Sequence, residues 1–307
     1  MVSERTGAGR MPDPDRPRVV WTRGKGCAEL AELLGRGDAD RISGDLADEC
    51  ISSRADLLVS RRFPGSFDLV NVAVPIDFDP ESVTRVVSAV GGGPHSILAA
   101  QTAATLGRSL GVEAEMVSAT RPGEDPQQAL EVIDRVGLSV DEIGGRVVEV
   151  EGISELVESV DDGSLLVLGA PGGSWLQRAR FGPGARLKSK ARAGVVIVRS
   201  APDRVFRWMG EPVYVSPLRQ ADDTLRLHAE GVLAVAEEGQ LVGLVRRASL
   251  ESAGSRAVAD LMEEAVSTRV DNTLEEAATL LPTFGPDPIP VTDHDEKLVG
   301  GLSLQRS

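Results

Sequence analysis

The sequence predicts an α/β protein, with a doubly wound, five-stranded parallel sheet followed by an α+β tandem pair. First, apolar runs of strand length alternate with helical patterns across residues 85–200. Second, a tandem repeat occupies residues 213–307. Third, 41% of the residues are hydrophobic but only 3% are aromatic, so Val, Leu, Ala and Ile must build the core, as in parallel strands covered by helices. A chain of 307 residues is long enough for two such domains.

The central block, residues 85–200, alternates strands and helices. The predicted strands are 85–91, 113–119, 146–152, 164–170 and 194–200. The predicted helices are 96–110, 126–136, 153–160 and 184–192, the last of them basic. Gly111 favours an end to the first helix, because glycine readily adopts the left-handed conformation that follows a helix. Ligands of such sheets bind beyond the carboxyl ends of the strands.

Three further segments flank the central block. Residues 1–17 are rich in Pro, Arg and Gly, which is typical of a disordered tail. Residues 18–84 form a small α/β segment whose role the sequence does not indicate. Its predicted strands are 18–21, 55–60 and 69–76, and its predicted helix lies near 27–34. Residues 201–212 contain two prolines and no strong periodicity, so we predict a linker there.

A basic, glycine-rich loop follows the fourth strand of the central block. The stretch LVLGAPGGSWLQRARFGPGARLKSKARAGVVIV, residues 166–198, contains no Asp or Glu, although the chain has a formal net charge of −14. Glycines let a backbone approach a ligand closely, and a helix that begins beyond the loop offers free N–H groups. Arg178, Arg180 and Arg186 add positive charge. This combination suits a polyphosphate; the alternative is a glycine-rich surface turn followed by an amphipathic basic helix.

The loop resembles the nucleotide-binding loop of the universal stress protein family, which reads Gly-x-x-Gly-x9-Gly-Ser/Thr. Here the pattern begins at Gly169, and RVVSAVGGGPHSILAAQTAATLGRSLGVEAEMV, residues 85–117, resembles that family's opening strand, PHS turn and first helix. The resemblance covers about residues 85–200. It implies ATP as the ligand ahead of ADP or AMP, with ribose and phosphates in the loop and adenine near the ends of the first two strands. The site residues that it implies, together with the loop's arginines, are Gly169, Gly172, Gly173, Gly182, Gly184, Arg178, Arg180, Arg186 and Gly91.

Two positions depart from the family pattern. Gly91 stands where the family carries an Asp that contacts the nucleotide. Pro183 replaces the hydroxyl residue after the third loop glycine, which removes a side-chain donor and a backbone N–H. Both changes predict weaker binding than at an intact family site.

The C-terminal repeat resembles a pair of CBS domains, which are regulatory modules that often bind adenine nucleotides between two copies. The stretches ADLMEEAVSTRVDNTLEEA and PIPVTDHDEKLVGGLS carry the resemblance, and the first copy is shorter than the second between helix and hairpin. Ligand-binding copies hold the ribose with a Ser/Thr and an Asp three residues later. The second copy has Ser303 and Arg306 and the first has Arg246 and Ser249, so both acids are missing. We therefore expect these clefts to serve packing or dimerisation rather than AMP binding.

Other candidate metal-binding and catalytic sites lack the residues that such sites need. Residues 38–49 imitate a calcium loop, but Ser43 and Ile42 occupy places that need Gly and an oxygen ligand. Residues 76–81 read better as a polar turn at Pro80 than as a metal site. The two cysteines and three histidines are isolated in the sequence, and there is no Walker loop or nucleophile elbow, so no catalytic constellation is visible.

These observations predict a non-enzymatic regulatory or stress-response protein that binds ATP and couples it to assembly or to an unknown protein partner. We expect a homodimer. The acidity argues against nucleic-acid binding, and with neither a membrane span nor a signal peptide visible, a cytoplasmic location is expected. One alternative is a structural interaction or dimerisation module whose nucleotide sites have decayed. Another is an enzyme of adenylyl chemistry on a related fold.

Overall fold

The computed structural model describes residues 17–140, 143–151, 155–156, 160–170 and 193–304. The chain divides between Ala201 and Pro202 into two compact units. The first unit contains a nine-stranded sheet, and the second contains two three-stranded sheets.

The strands of the first unit are short and mostly parallel. They are β1 (Val19–Trp21), β2 (Ala39–Arg41), β3 (Leu57–Val59), β4 (Asn71–Ile76), β5 (Arg85–Ala89), β6 (Glu113–Thr120), β7 (Gly144–Glu149), β8 (Ser164–Gly169) and β9 (Val195–Arg199). Their order in the sheet is β2-β1-β3-β4-β9-β8-β5-β6-β7. Every neighbouring pair is parallel except β4 and β9, which are antiparallel.

The five predicted strands of the central block form β5 to β9, adjacent and parallel as expected. However, the sheet has nine strands, not the five that were predicted. Residues 17–84 add four strands to the same sheet, because β4 pairs with the outer edge of β9. That edge would otherwise present unpaired backbone N–H and C=O groups.

Helices cover the first sheet. They are α1 (Cys27–Leu34), α2 (Leu46–Ser52), α3 (Ser96–Leu110) and α4 (Gln127–Gly137), with a 3-10 turn at Pro80–Ser82. Helices α1, α3 and α4 share one core cluster, which includes Leu30, Leu106 and Ile133. The end of α3 is confirmed, since Gly111 follows it at φ 69°. The predicted helices at 153–160 and 184–192 fall largely or wholly outside the described residues.

The second unit repeats one arrangement twice. Its strands are β10 (Tyr214–Val215), β11 (Val232–Glu237) and β12 (Gln240–Arg246), then β13 (Thr268–Arg269), β14 (Ile289–Thr292) and β15 (Leu298–Leu302). Its helices are α5 (Val205–Trp208), α6 (Ala221–Leu227), α7 (Arg247–Glu251), α8 (Leu274–Ala278) and α9 (Leu281–Phe284), with a 3-10 turn at Val258–Asp260. Each sheet has a parallel pair followed by an antiparallel hairpin. The additional helix α9 accounts for the greater length of the second copy.

The two copies are held together by chain segments that cross between them. Before the second copy, Glu263 exchanges backbone hydrogen bonds with Leu244 of β12, at 2.7 and 3.1 Å. Before the first copy, Gly210 does the same with Gly301 of β15, at 2.8 and 3.2 Å. Glycine is needed beside each crossing. A Cβ at Gly243 would lie 2.8 Å from the Glu263 carbonyl oxygen, and the equivalent Gly300 faces Met209.

Part of the predicted linker belongs to this second unit. Helix α5 lies within residues 201–212, and its Phe206 is fully buried. The backbone N–H of Val205 donates to Asn272, and that of Phe206 to Val270, at 2.9 and 3.0 Å. Residues 205–206 are therefore anchored on the second copy.

Candidate functional site

The strand order creates a crevice at the carboxyl ends of β5 and β8. The chain leaves β5 through α3 toward β6 on one side, whereas β8 pairs with β5 on the other side. Such a switch point is where open α/β sheets usually bind ligands. Gly91, Gly92 and Gly93 follow β5, and Gly169 ends β8.

The glycines after β5 present open backbone to this crevice. All three are exposed, and a Cβ added at Gly91 or Gly93 would meet no heavy atom within 4 Å. Gly92 differs, because its φ is 73° and a Cβ there would lie only 3.0 Å from the Cγ2 atom of Val132, so both its conformation and its surroundings require glycine. Gly91, the position of the family's Asp, therefore has room for a side chain but supplies no carboxylate.

Gly169 has a packing role. A Cβ there would lie 3.0 Å from the Cβ of His95 and 3.2 Å from its carbonyl oxygen. The end of β8 can approach the start of α3 only because this residue lacks a side chain. Gly169 therefore shapes the crevice whether or not a ligand is bound.

His95 and Ser200 join α3 to the end of β9. The Nδ1 atom of His95 accepts the Ser200 backbone N–H at 3.1 Å, so the ring proton is assigned to Nε2. The Ser200 hydroxyl lies 2.7 Å from Nδ1 and 3.2 Å from the Pro94 carbonyl oxygen. Burial, and then the positive charge of Arg199, lowers the pKa of His95. Sequence reasoning treated His95 as isolated, because its partner is 105 positions away.

Arg199 points to a different partner. Its guanidinium donates to the carbonyl oxygens of Gly65 and Phe67 and lies 5.0 Å from the ring centroid of Phe63. This cation therefore fixes the loop between β3 and β4.

Of the predicted site residues, the structure places Gly91 and Gly169 at the same end of the sheet. Seven others fall within residues 171–192, outside the described residues. These are Gly172, Gly173, Gly182, Gly184, Arg178, Arg180 and Arg186. Their part in the site stays a prediction.

The acidic stretches considered as metal sites have other roles. Asp45 accepts the backbone N–H groups of Ala47 and Asp48 at the start of α2. Asp79 accepts that of Glu81 at the 3-10 turn. Among the residues the structure describes, no group of three or more His, Cys, Asp and Glu side chains could hold a metal ion. No helix in this part of the chain is long and apolar enough to cross a membrane.

The positions compared with CBS ribose ligands are partly engaged within the second unit. Arg246 forms an ion pair with Glu263, with Nε 3.1 Å from both carboxylate oxygens. Ser303 is exposed, and Arg306 lies outside the described residues. Between the copies, the Asp287 carboxylate accepts the backbone N–H groups of Gly231 and Val232, both at 3.0 Å.

Comparison with known proteins gives a partial likeness. No protein-family model matches the chain, and no curated protein matches it. Among solved structures, it is similar to the CBS-pair protein CBSX2 from Arabidopsis thaliana, with 28% identity, 34% of this chain and 89% of that chain covered, and a TM-score of 0.30. A complex of CBSX2 with AMP gives 30% identity over 33% of this chain and 90% of that chain, with a TM-score of 0.29.

The soluble part of a magnesium transporter is also similar, at 20% identity and a TM-score of 0.30. That match covers 33% of this chain, and the chain spans only 44% of the transporter fragment. CBSX2 and two further neighbours are described as CBS-pair structures, and each match covers about a third of this chain.

Proposed function

We propose that the chain is a regulatory protein without catalytic activity that binds an adenine nucleotide, ATP ahead of ADP or AMP, in the crevice between β5 and β8. The observation that carries this proposal is the switch point itself. Exposed glycine backbone follows β5, and Gly169 brings β8 against the start of α3. The glycine-rich basic loop continues directly from Gly169.

The chemistry of the loop favours a polyphosphate. Glycine backbone can approach phosphate oxygens closely. The positive charge of Arg178, Arg180 and Arg186 attracts a triphosphate more strongly than a monophosphate. The order β7-β6-β5-β8-β9 is consistent with the resemblance to universal stress proteins over residues 85–200. Because Gly91 and Pro183 remove contacts, we expect affinity in the micromolar range or weaker.

The second unit would convert nucleotide binding into a change of assembly. Its resemblance to a CBS pair supports a regulatory role, either in a homodimer or toward a protein partner. A ligand shifts such an equilibrium only if it binds the two states with different affinity. Nucleotide must therefore change the dimerisation constant measurably.

A second candidate function, an interaction module with decayed sites, has one observation in its favour. Asp287 already satisfies the N–H pair of Gly231 and Val232, so these groups between the copies are occupied by the chain's own carboxylate. Under this reading neither unit binds nucleotide.

Fluorescence of Trp175 would test the proposal, because this residue lies in the basic loop. The chain has three tryptophans, so Trp21→Phe with Trp208→Phe leaves Trp175 alone. Titration with ATP, excited at the red edge of the tryptophan band, should give a saturable change that weakens with salt. Mass spectrometry of nucleotides released from the purified protein gives an independent measurement.

Gly172→Asp should abolish the Trp175 response by bringing a side chain and a negative charge to the phosphate position. The matched control is Gly144→Asp, which adds the same charge at an exposed position with open space, at the amino end of β7. No response to millimolar ATP in the parent, or an unchanged response in Gly172→Asp, would favour the decayed module.

A further inference from the structure

The nine-stranded sheet has an internal two-fold symmetry. In the antiparallel pair of β4 and β9, Ala73 lies opposite Val198, and the neighbouring pairs are Val72–Arg199 and Val74–Ile197. A two-fold axis through the central pair exchanges the two strands. Moving outward, the order β4-β3-β1-β2 matches β9-β8-β5-β6, and among the strands of the described residues only β7 lacks a counterpart.

Backbone hydrogen bonds support the same correspondence. The N–H of Ser60, just after β3, donates to the Ala73 carbonyl at 3.0 Å. The N–H of Ala170, just after β8, donates to the Val198 carbonyl at 2.6 Å. Helix α1 follows β1 as α3 follows β5. Residues 17–84 therefore repeat the β5–β9 arrangement in a shortened form, and we call them the N-terminal repeat.

The N-terminal repeat has its own switch point, at the carboxyl ends of β1 and β3. The two loops there, Thr22–Gly26 and Ser60–Arg62, form what we call the β1/β3 crevice. Thr22 Oγ1 lies 3.3 Å from Ser60 Oγ across it. A Cβ at Gly24 would lie 3.1 Å from the Cβ of Arg61, so glycine lets the two loops approach closely. By symmetry, Thr22–Gly26 corresponds to residues 91–95 of the β5/β8 crevice.

Four cationic residues lie on the two loops of the β1/β3 crevice. They are Arg23 and Lys25 on the first loop and Arg61 and Arg62 on the second, and all four are exposed. Within the described residues, none of the four side chains has an ion pair or hydrogen bond. Other arginines of this unit are paired, such as Arg85 with Glu113. In a chain of net charge −14, four cations without ion pairs on two neighbouring loops give a locally positive surface, and a bound anion would offset their mutual repulsion.

We propose that the β1/β3 crevice binds a phosphorylated small molecule through a diphosphate or longer phosphate chain. Two pairs of cations on opposite loops match a ligand with more than one anionic group better than a single carboxylate. Glu29, in the first turn of α1, is the acidic residue nearest in sequence to these cations. This site is separate from loop 169–184 and does not depend on the proposed function.

Trp21 provides a local reporter, because it ends β1 directly before Thr22. Trp175→Phe with Trp208→Phe leaves Trp21 as the only tryptophan. Titration with inorganic pyrophosphate at low ionic strength should give a saturable fluorescence change. Arg61→Glu or Arg23→Glu should weaken binding at least about tenfold, through the loss of a charge-assisted contact and the repulsion that replaces it. Arg135→Glu makes the same charge change at an exposed position on α4 and should leave binding unchanged.

Calorimetry on Gly172→Asp, with the basic loop disabled, gives the second measurement. Pyrophosphate should still release or absorb heat there, and adding Arg61→Glu should remove it. Loss of binding on Gly172→Asp alone would place the anion in loop 169–184 and overturn the inference. So would equal binding by Arg61→Glu and Arg135→Glu, or no binding by the parent at millimolar pyrophosphate. Because Trp175 reports separately on ATP in the basic loop, either proposal can fail while the other stands.

Discussion

Gly91→Asp should strengthen ATP binding, because it restores a carboxylate at the end of β5. The position can accept the change, since a Cβ there has open space within 4 Å and the glycine does not need positive φ. Replacing glycine where the backbone is compatible also stabilises a fold by about 0.4–1 kcal/mol, because the unfolded chain loses freedom. The substitution should therefore leave the protein folded.

The expected gain follows from the chemistry of a carboxylate. An ionised carboxylate only accepts hydrogen bonds, so it must contact an O–H or N–H group of the nucleoside, not a phosphate. A hydrogen bond to a charged group contributes about 1.5–3 kcal/mol, or roughly ten- to 150-fold in affinity. Repulsion from each phosphate charge about 8 Å away costs ~0.5 kcal/mol in water and less in salt. The net effect on ATP should be about tenfold, and AMP should gain at least as much.

The assay is titration with ATP and AMP in the variant that keeps Trp175 as its only tryptophan. Gly93→Asp is the matched control, because it adds the same charge two residues away with equally open space. Thermal unfolding shows whether each variant is folded. Unchanged or weaker ATP binding in folded Gly91→Asp, or equal gains in both variants, would refute the assignment of this position.

Three other predictions follow from contacts in the two units. Since the pKa of His95 is lowered in the folded state, the unfolded state binds more protons, and the free energy of unfolding should fall as the pH drops below about 6.5. In urea titrations, His95→Asn should remove this part of the pH dependence. An unchanged profile would contradict the prediction. Gly243→Ala should lower the free energy of unfolding by about 1–3 kcal/mol, because its Cβ would collide with the Glu263 carbonyl, whereas Gly144→Ala should not. Limited proteolysis should cut first near residues 200–203, and the first unit alone should sediment as a smaller assembly than the full chain. Early cleavage within α5, or a monomeric full-length protein, would be inconsistent with these expectations.

The five strands of the central block could be predicted because each is a local apolar run between helical patterns. Strand β2 could not, since Ala39–Arg41 is polar, partly exposed and paired only with β1. The antiparallel pairing of β4 with β9 joins residues more than a hundred positions apart, so no local pattern indicates it. The nine-stranded sheet therefore depends on long-range pairing, which local patterns do not show even where the strands themselves, all but β2, can be predicted.

The order seen within the predicted linker 201–212 has a related cause. Its prolines and charged residues are typical of a connector, and the single helix α5 is only four residues long. Helix α5 is held by Phe206, which is fully buried, and by backbone hydrogen bonds to Val270 and Asn272 in the second copy of the C-terminal pair. A short segment that lacks periodicity of its own can be ordered by one buried aromatic side chain and its partners elsewhere in the chain.

The glycines around the β5/β8 crevice are glycine for different reasons. Gly169 and Gly92 are required by close contacts or positive φ, so they would be glycine in a protein that binds nothing. Gly91 and Gly93 have open space and no such requirement, so packing does not explain them. The open space beside them leaves room for a ligand in the crevice, and Arg23 and Lys25 place exposed positive charge on the symmetry-related loop. The exposed residues that could contact an anion at either crevice are therefore ones whose identity packing does not dictate.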